Sequence, residues 1–126
     1  MERNPVGWFE IYVQDMERAK KYYETVLSTS FSRIDSPSIE MWGFPASSPG
    51  IESPGTSGSL VKMPGFPSGG NSTLVYFTVD DCAVEGSRVV PAGGRIQRDK
   101  TSIGQYGFIV LAYDTEGNMF GLHSLK

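Results

Sequence analysis

Two residues of this 126-residue sequence are best suited to carry proton chemistry: Glu10 and the only histidine, His123. Each lies in a stretch where side chains of different character alternate, as they do along a β-strand. If the two side chains meet, the carboxylate could orient the imidazole and stabilise its charged form, giving a general acid or base. The alternative is a satisfied polar pair under Trp8 with a structural role only. The sequence leaves both interpretations open.

The alternation around these residues predicts which side chains share a face with them, because neighbours along a strand point to opposite faces. One face is apolar and is predicted to pack under helices: Phe9, Ile11, Val13, Val75, Phe77, Val79, Phe120 and Leu122. The opposite face is predicted to line a cleft: Trp8, Glu10, Tyr12, Leu74, Tyr76, Thr78, Met119, Gly121 and His123.

The predicted cleft face combines aromatic side chains with a few polar groups, which is typical of small-molecule pockets. Tyrosine and tryptophan each offer a flat apolar surface and one hydrogen-bonding group. We therefore predict a small aromatic or hydrophobic ligand. The predicted ligand-binding residues are Trp8, Tyr12, Leu74, Tyr76, Thr78 and Met119. The alternative is that large side chains fill the cleft and nothing binds there.

Two similar strand–helix units must position this face. The predicted elements are strands at residues 5–13, 31–34, 38–44, 59–63, 73–79, 95–97, 106–113 and 119–124, and helices at 15–28 and 82–90. Asp15 and Asp81 each precede a helix and can accept hydrogen bonds from its first free amides. Their spacing of roughly 66 residues indicates an internal duplication of one unit. The sequence therefore predicts an α+β fold of two tandem βαβββ modules whose curled mixed sheets enclose a cleft.

The loops suggest where these modules begin and end. A single domain over residues 1–126 is predicted to contain module one at about 4–63, a linker at about 64–71 and module two at about 72–126. Residues 45–71 contain five prolines and six glycines, and the stretches 45–58 and 64–71, on either side of the strand at 59–63, are predicted to be surface loops. These loops are either a lid over the cleft or a solvated connection. In the turn over 114–118, Gly117 is the residue most able to take a positive φ.

The composition narrows the class of protein. The net charge is −3 and the sequence has no basic run, which argues against nucleic-acid binding. No apolar run approaches the length of a membrane span, and the first residues lack the apolar core of a signal peptide. The single cysteine, Cys82, cannot form a disulfide within the chain. We therefore expect a cytoplasmic protein that binds neither nucleic acid nor membrane.

Several motifs are spread over nearly the whole sequence: Asn4–Tyr23, Val79-Asp80-Asp81, Ala92-Gly93-Gly94, Tyr106–Ile109 and Asp114–His123. With these motifs the sequence resembles the vicinal oxygen chelate superfamily, which holds glyoxalase I, bleomycin-resistance proteins and extradiol dioxygenases. It is most similar to the group described as related to lactoylglutathione lyase. The resemblance implies paired βαβββ modules around a shared cleft and the association of two chains into a homodimer.

The resemblance also implies where a catalytic divalent metal would be bound in the superfamily's enzymes. The positions that match its ligands are Trp8, Leu74 and Gly121, and no His, Asp or Glu occurs in the strand over 59–63. None of these three side chains can donate an oxygen or nitrogen ligand to a divalent ion. A different site could use Glu10 and His123, with Glu40 as a third ligand, but catalytic zinc normally needs three. We therefore expect no metal and no cofactor, with an atypical divalent metal as the alternative.

Two functions of different classes remain. The first is a metal-independent binding protein that sequesters or senses a small aromatic or hydrophobic ligand. The second is an enzyme of the lyase or isomerase type, related to glyoxalase I, that uses Glu10 and His123 or an atypical metal. The sequence favours the first, because the ligand positions are replaced and the predicted cleft is aromatic.

Overall fold

The computed structural model describes residues 6, 8–37, 39–45 and 55–126. Its helices and strands follow in this order: β1 (Phe9–Tyr12), α1 (Met16–Leu27), β2 (Ser32–Ile34), β3 (Glu40–Gly43), β4 (Gly58–Lys62), β5 (Val75–Thr78), α2 (Cys82–Val89), β6 (Arg95–Ser102), β7 (Phe108–Tyr113) and β8 (Met119–Ser124). A 3-10 turn over Gly104–Tyr106 precedes β7. The predicted succession of strand, helix and three strands, followed by its repeat, is confirmed.

Two four-stranded mixed sheets carry the same topology. The first has the order β1-β4-β3-β2 and the second the order β5-β8-β7-β6. In each sheet the first strand of the unit pairs in parallel with the last, and the other neighbours are antiparallel. The predicted α+β class with two tandem modules is therefore confirmed. In the described part of the chain the two sheets stay separate and do not close on each other.

The predicted alternation of faces is confirmed by burial. Ile11, Val13, Phe120 and Leu122 are buried in one hydrophobic core, and Phe9 packs against its edge. The opposite side chains of β1 and β5 are more exposed than these apolar neighbours. The period-two pattern of each strand thus separates a face packed under the helices from a face left open.

Aromatic side chains from both modules meet in one core. The ring centroids of Phe9 in β1 and Phe77 in β5 lie 6.5 Å apart. Tyr23 in α1 packs against Phe77 at 5.9 Å and against Phe120 in β8 at 5.7 Å. Because edge-to-face and tilted rings at these distances attract each other beyond their buried area, α1 joins the two modules rather than covering only its own sheet.

Both helices begin as the sequence predicts. The Asp15 carboxylate accepts a hydrogen bond from the Arg18 amide at 3.1 Å, and the Asp81 carboxylate accepts one from the Ala83 amide at 3.0 Å. In the turn before β8, Gly117 has a φ of 81°, as predicted. Strand β6 is longer than the sequence indicates: it extends to Ser102 through two register shifts against β7, and such irregularity hides the simple alternation that would reveal a strand.

The loop predictions divide into two parts. Residues 46–54 lie outside the described residues, so the choice between a lid and a solvated connection is not tested there. The linker over 64–71 is held by hydrogen bonds. The Ser68 hydroxyl donates to the Glu116 carbonyl at 2.7 Å, and the Asn71 amide exchanges two hydrogen bonds with the Met119 backbone at 2.9 and 3.0 Å. The linker is therefore a fixed connection that runs along the start of β8.

Neither helix in the described part of the chain is long and apolar enough to cross a membrane.

Candidate ligand groove

A groove of about 510 Å³ opens between β1, the linker and the start of β8. The residues that line it are Val6, Trp8–Tyr12, Tyr23, Pro67, Gly69–Thr73, Val75 and Asn118–Phe120. It lies along the free edge of β1, because β1 pairs with β4 only and forms one border of its sheet. Four of the residues predicted to form the site, Trp8, Glu10, Tyr12 and Met119, therefore come together in this groove.

Trp8, Glu10 and Tyr12 form a hydrogen-bonded group on the exposed face of β1. The Tyr12 hydroxyl donates to Glu10 Oε1 at 2.8 Å, and the Trp8 indole donates to Glu10 Oε2 at 3.2 Å. Alternate residues of a strand share a face, so this group follows directly from the sequence spacing. The hydrogen bond to Glu10 raises the pKa of the Tyr12 phenol, which therefore stays a donor. One carboxylate thus holds two aromatic side chains in place.

Sequence reasoning missed Phe66, which contacts Tyr12 but lines a neighbouring depression rather than the groove itself. Its ring lies nearly parallel to the Tyr12 ring, with centroids 5.5 Å apart, although it belongs to the linker. The Gln14 side-chain amide lies 3.4 Å from the Phe66 carbonyl and donates a hydrogen bond to it. A phenylalanine between Gly65 and Pro67 gives no periodic signal, and only its isolation within a polar loop could have suggested a contact role.

His123 lies elsewhere. Its Nε2 atom is 2.7 Å from the Tyr106 carbonyl oxygen, and it lines a shallow depression with Thr78, Asp80 and Lys126. Glu10 has Trp8 and Tyr12 as its hydrogen-bond partners and lines a different groove. The structure therefore does not form the Glu10–His123 pair considered from the sequence, because β1 and β8 belong to different sheets.

The remaining predicted residues are also separated from the β1 group. Leu74 lines a depression beside the groove, and Met119 borders both. Tyr76 lies on the open face of the second sheet, where its ring covers Gly121. Thr78 is two residues further along β5 than Tyr76, and it lines the depression that contains His123. The sequence predicted the shared face correctly for each strand, but it treated two open faces as one continuous surface.

At two positions that the resemblance matches to the superfamily's metal ligands, Gly121 and Trp8, the structure shows the surroundings of the residue present. A Cβ atom added to Gly121 would lie 2.2 Å from the Tyr76 ring, so a ligating side chain at this position would require that ring to move. At the Trp8 position the indole nitrogen carries a hydrogen that is already donated to Glu10. Among residues 6, 8–37, 39–45 and 55–126, no group of three or more His, Cys, Asp or Glu side chains is placed to hold a metal ion.

Glu40 cannot complete an alternative metal site with Glu10. It accepts a hydrogen bond from the Trp42 indole at 3.3 Å, and the Lys20 ammonium of α1 lies 3.2 Å from the centre of the Trp42 ring. Glu40 and Trp42 are two residues apart in β3 and share a face. That face points toward α1, whereas Glu10 points away from the helix.

A polar cluster behind the groove joins the two modules, and the sequence analysis did not foresee it. The Glu116 carboxylate, in the turn before β8, accepts hydrogen bonds from the Gln14 and Asp15 amides at 2.8 and 2.9 Å. It also pairs with the Arg18 guanidinium at 2.6 and 3.1 Å. Burial alone would raise the pKa of Glu116, but these donors outweigh it and lower the pKa to about 2. Glu116 therefore fixes the point where β1 passes into α1.

Two neighbours of Glu116 extend this cluster. The Asp114 carboxylate accepts hydrogen bonds from the Tyr23 hydroxyl at 2.6 Å and from the Asn118 amide at 2.8 Å. Burial raises the pKa of Asp114, and burial beside Asp114 keeps the pKa of Tyr23 well above its usual range. The Asn118 side chain donates to the Tyr12 carbonyl at 2.9 Å. The cluster thus holds the backbone of β1 against the second module, which sets the width of the groove.

The family is decided by a match over most of the sequence. The sequence model of the Glyoxalase/Bleomycin resistance protein/Dioxygenase superfamily matches residues 6–122. The chain belongs to this superfamily. No curated protein matches the sequence at a significant level. The chain has the paired modules that the resemblance implies.

Solved structures show the same fold at low sequence identity. Glyoxalase I from Zea mays has a TM-score of 0.74 and 20% identity over 95% of this chain, which spans 46% of the maize protein. A glyoxylase/bleomycin resistance protein/dioxygenase domain from Frankia sp. EAN1pec has a TM-score of 0.73 and 14% identity over 99% of this chain and 100% of its own. A hypothetical protein from S. aureus has a TM-score of 0.65 and 17% identity over 98% and 99%. This chain covers about half the length of the maize enzyme.

Proposed function

We propose that this superfamily member is a metal-independent protein that binds a small ligand with an aromatic or hydrophobic body in the β1 groove. The observation that carries the proposal is the group formed by Trp8, Glu10 and Tyr12, which line the groove with their hydrogen-bonding atoms already paired to one another. Groups held by hydrogen bonds before a ligand arrives lose less conformational freedom on binding. The volume of about 510 Å³ suits a small organic molecule.

Independence from metal is part of this proposal. It is supported by the chemistry of Trp8 and Gly121, the positions that match the family's ligands, and by the Tyr76 ring over Gly121. Glu40, the remaining candidate, faces the other side of its sheet. We expect protein purified without chelators, then exposed to Zn²⁺, Ni²⁺ or Mn²⁺, to show no rise in melting temperature. A rise with one equivalent of bound metal per chain would contradict this part of the proposal.

The alternative function, a lyase or isomerase related to glyoxalase I, has less support. It depends on Glu10 and His123 acting together, and the two residues have different partners and line different depressions. The likeness to maize glyoxalase I is one of fold, at 20% identity. A turnover of hemithioacetal substrate that disappears in both Glu10→Gln and His123→Ala would favour the enzyme instead.

Trp8→Ala is expected to weaken ligand binding by about thirtyfold, because a tryptophan at the centre of a contact surface typically contributes at least 2 kcal/mol. Trp8 is 46% exposed, so its removal should leave the melting temperature nearly unchanged. Three naphthyl compounds serve as probes: 2-(1-naphthyl)ethanol, 2-(1-naphthyl)ethylamine and 1-naphthylacetate. Binding is measured by calorimetric titration and by chemical-shift changes in the protein.

Tyr106→Ala is the matched control for this experiment. Tyr106 is also an exposed aromatic residue, at 65%, but it lies outside the groove. Its removal should leave the affinity of every probe unchanged. If none of the three naphthyl compounds binds the wild-type protein, the proposed binding function is wrong. If Trp8→Ala and Tyr106→Ala weaken binding equally, the site has been placed in the wrong part of the molecule.

We also propose that two chains associate. The support is the open face of the second sheet, where Tyr76 is 46% exposed and Ile109, Leu111 and Met119 are only partly buried. Such a face is a common interface between identical subunits. Sedimentation equilibrium is expected to give a dimer, and a Tyr76→Lys variant that remains dimeric would exclude this face. The cytoplasmic location stays a prediction.

A further inference from the structure

The groove also indicates the charge of its ligand. Resting on the proposed binding function, we propose that the natural ligand is an organic cation: a protonated or quaternary ammonium group attached to a flat apolar body. The ammonium would lie against the Glu10 carboxylate, and the apolar body would lie on the Trp8 and Tyr12 rings.

The first argument is the charge of the groove wall. Among the described residues that line the groove, Glu10 is the only one whose side chain is charged at neutral pH. Both of its carboxylate oxygens accept hydrogen bonds from neutral donors, the Tyr12 hydroxyl and the Trp8 indole. In the part of the chain that the structure describes, no lysine, arginine or histidine forms an ion pair with Glu10. As far as the described residues go, the groove therefore carries one negative charge that no cationic side chain neutralises.

The second argument is the position of the rings. Trp8 and Tyr12 flank Glu10 at alternate positions of β1, so two aromatic surfaces and a carboxylate share one side of the strand. The face of an aromatic ring carries negative electrostatic potential and attracts an ammonium group, tryptophan most strongly. Because both ring donors are bound to Glu10, their N–H and O–H groups are not free to recognise a ligand acceptor. What remains available is the ring surface and the carboxylate charge, and both favour a cation.

The third argument is that the groove disfavours an anion. The backbone amides of Gln14 and Asp15, where β1 meets α1, are already bound by Glu116. The Gly69 amide in the linker donates to the Asn118 side chain at 2.6 Å. An anion in the groove would be repelled by the Glu10 carboxylate. A neutral ligand would gain less from that carboxylate than a cation of the same shape.

The test uses the three naphthyl probes, which share one ring system and differ in charge. We expect 2-(1-naphthyl)ethylamine, protonated at pH 7, to bind the wild-type protein about tenfold more tightly than 2-(1-naphthyl)ethanol. The anion 1-naphthylacetate should bind most weakly. In Glu10→Gln the preference of amine over alcohol should fall to about twofold or less, because the charge that distinguishes the two probes has been removed. Glutamine keeps an acceptor oxygen for Tyr12, so this exposed change should not affect folding.

Glu17→Gln is the matched control, since it makes the same chemical change on the outer side of α1, where Glu17 is 81% exposed in its side chain. It should keep the full preference for the amine. Equal binding of amine and alcohol to the wild-type protein would overturn the inference and leave the proposed binding function intact. Loss of the preference in Glu17→Gln as well would overturn it too, because it would reveal only a general attraction between charges. Absence of binding by all three probes would contradict the binding function and this inference together.

Discussion

Replacing Glu116 with alanine is expected to lower the free energy of unfolding by about 3 kcal/mol. The Glu116 carboxylate is completely buried and binds the Gln14 and Asp15 amides and the Arg18 guanidinium. Alanine would leave two backbone donors without a partner at the junction between modules, and each unsatisfied donor costs about 1–3 kcal/mol. Arg18 adds less to this loss, because half of its side chain is exposed and can return to water.

Urea unfolding of the variant measures this loss. Glu17→Ala is the control, because Glu17 also lies in an acidic–basic pair near the start of α1, 3.7 Å from Lys20, but is exposed to solvent. An exposed pair of this kind contributes less than about 1 kcal/mol. If Glu116→Ala costs no more than Glu17→Ala, the cluster does not hold the modules together. If Glu116→Ala instead weakens ligand binding in the groove and leaves the free energy of unfolding unchanged, Glu116 acts only on the position of β1.

The pH dependence of stability gives an independent check on the same residue. The pKa of Glu116 is lowered from 4.5 to about 2, so its stabilising effect is complete above pH 4.5 and is lost as the pH falls toward 2. Asp114 acts in the opposite sense, because burial raises its pKa and protonation at falling pH then favours the folded state. A comparison of the wild type with Glu116→Gln removes only the first effect. The wild type should lose stability more steeply between pH 5 and pH 3, and parallel profiles would contradict the assignment.

The sequence predicted the fold well because the signals for it are local. Alternation in β1 and β5, and the caps Asp15 and Asp81, involve residues within a few positions of one another. The relation of the two open faces is different in kind. It depends on how the modules pack through Tyr23, which touches rings from both halves of the chain. No local period encodes that contact. The structure therefore has two separate open surfaces where the sequence predicted a single cleft.

The sequence likewise predicted the part of the candidate site that depends on local spacing, and missed the part that depends on distant contacts. The group Trp8, Glu10 and Tyr12 lies on one strand at alternate positions, and its shared face was read directly from the sequence. His123 was placed beside it only by analogy between strands, and the structure gives it another environment. Glu116 was read as a turn residue, although its partners lie 98–102 residues away in sequence. Contacts of that separation leave no trace in periodicity or composition.

Gly121→Ala is expected to lower the free energy of unfolding by about 2 kcal/mol, because even one methyl group at this position meets the Tyr76 ring. Its Cβ atom would lie 2.2 Å from one ring carbon and 2.3 Å from the next, well inside contact distance. The ring of Tyr76 would have to leave the sheet surface or the strands would have to separate. Gly86→Ala is the control: its Cβ atom would meet only Val110, at 3.4 Å, and alanine in place of a helical glycine commonly stabilises by up to about 1 kcal/mol.

The double variant decides the cause. If the Tyr76 ring is the obstacle, Tyr76→Ala should remove most of the cost of Gly121→Ala, and the two changes should be non-additive by about 1–2 kcal/mol. Additive losses would mean that the strand itself, rather than the ring, resists a side chain there. The same measurement bears on metal binding, since Gly121 matches the position where the superfamily's enzymes carry a glutamate ligand. A glutamate at this position would meet the same ring, so a variant designed to restore this ligand would combine changes at Tyr76 and Gly121.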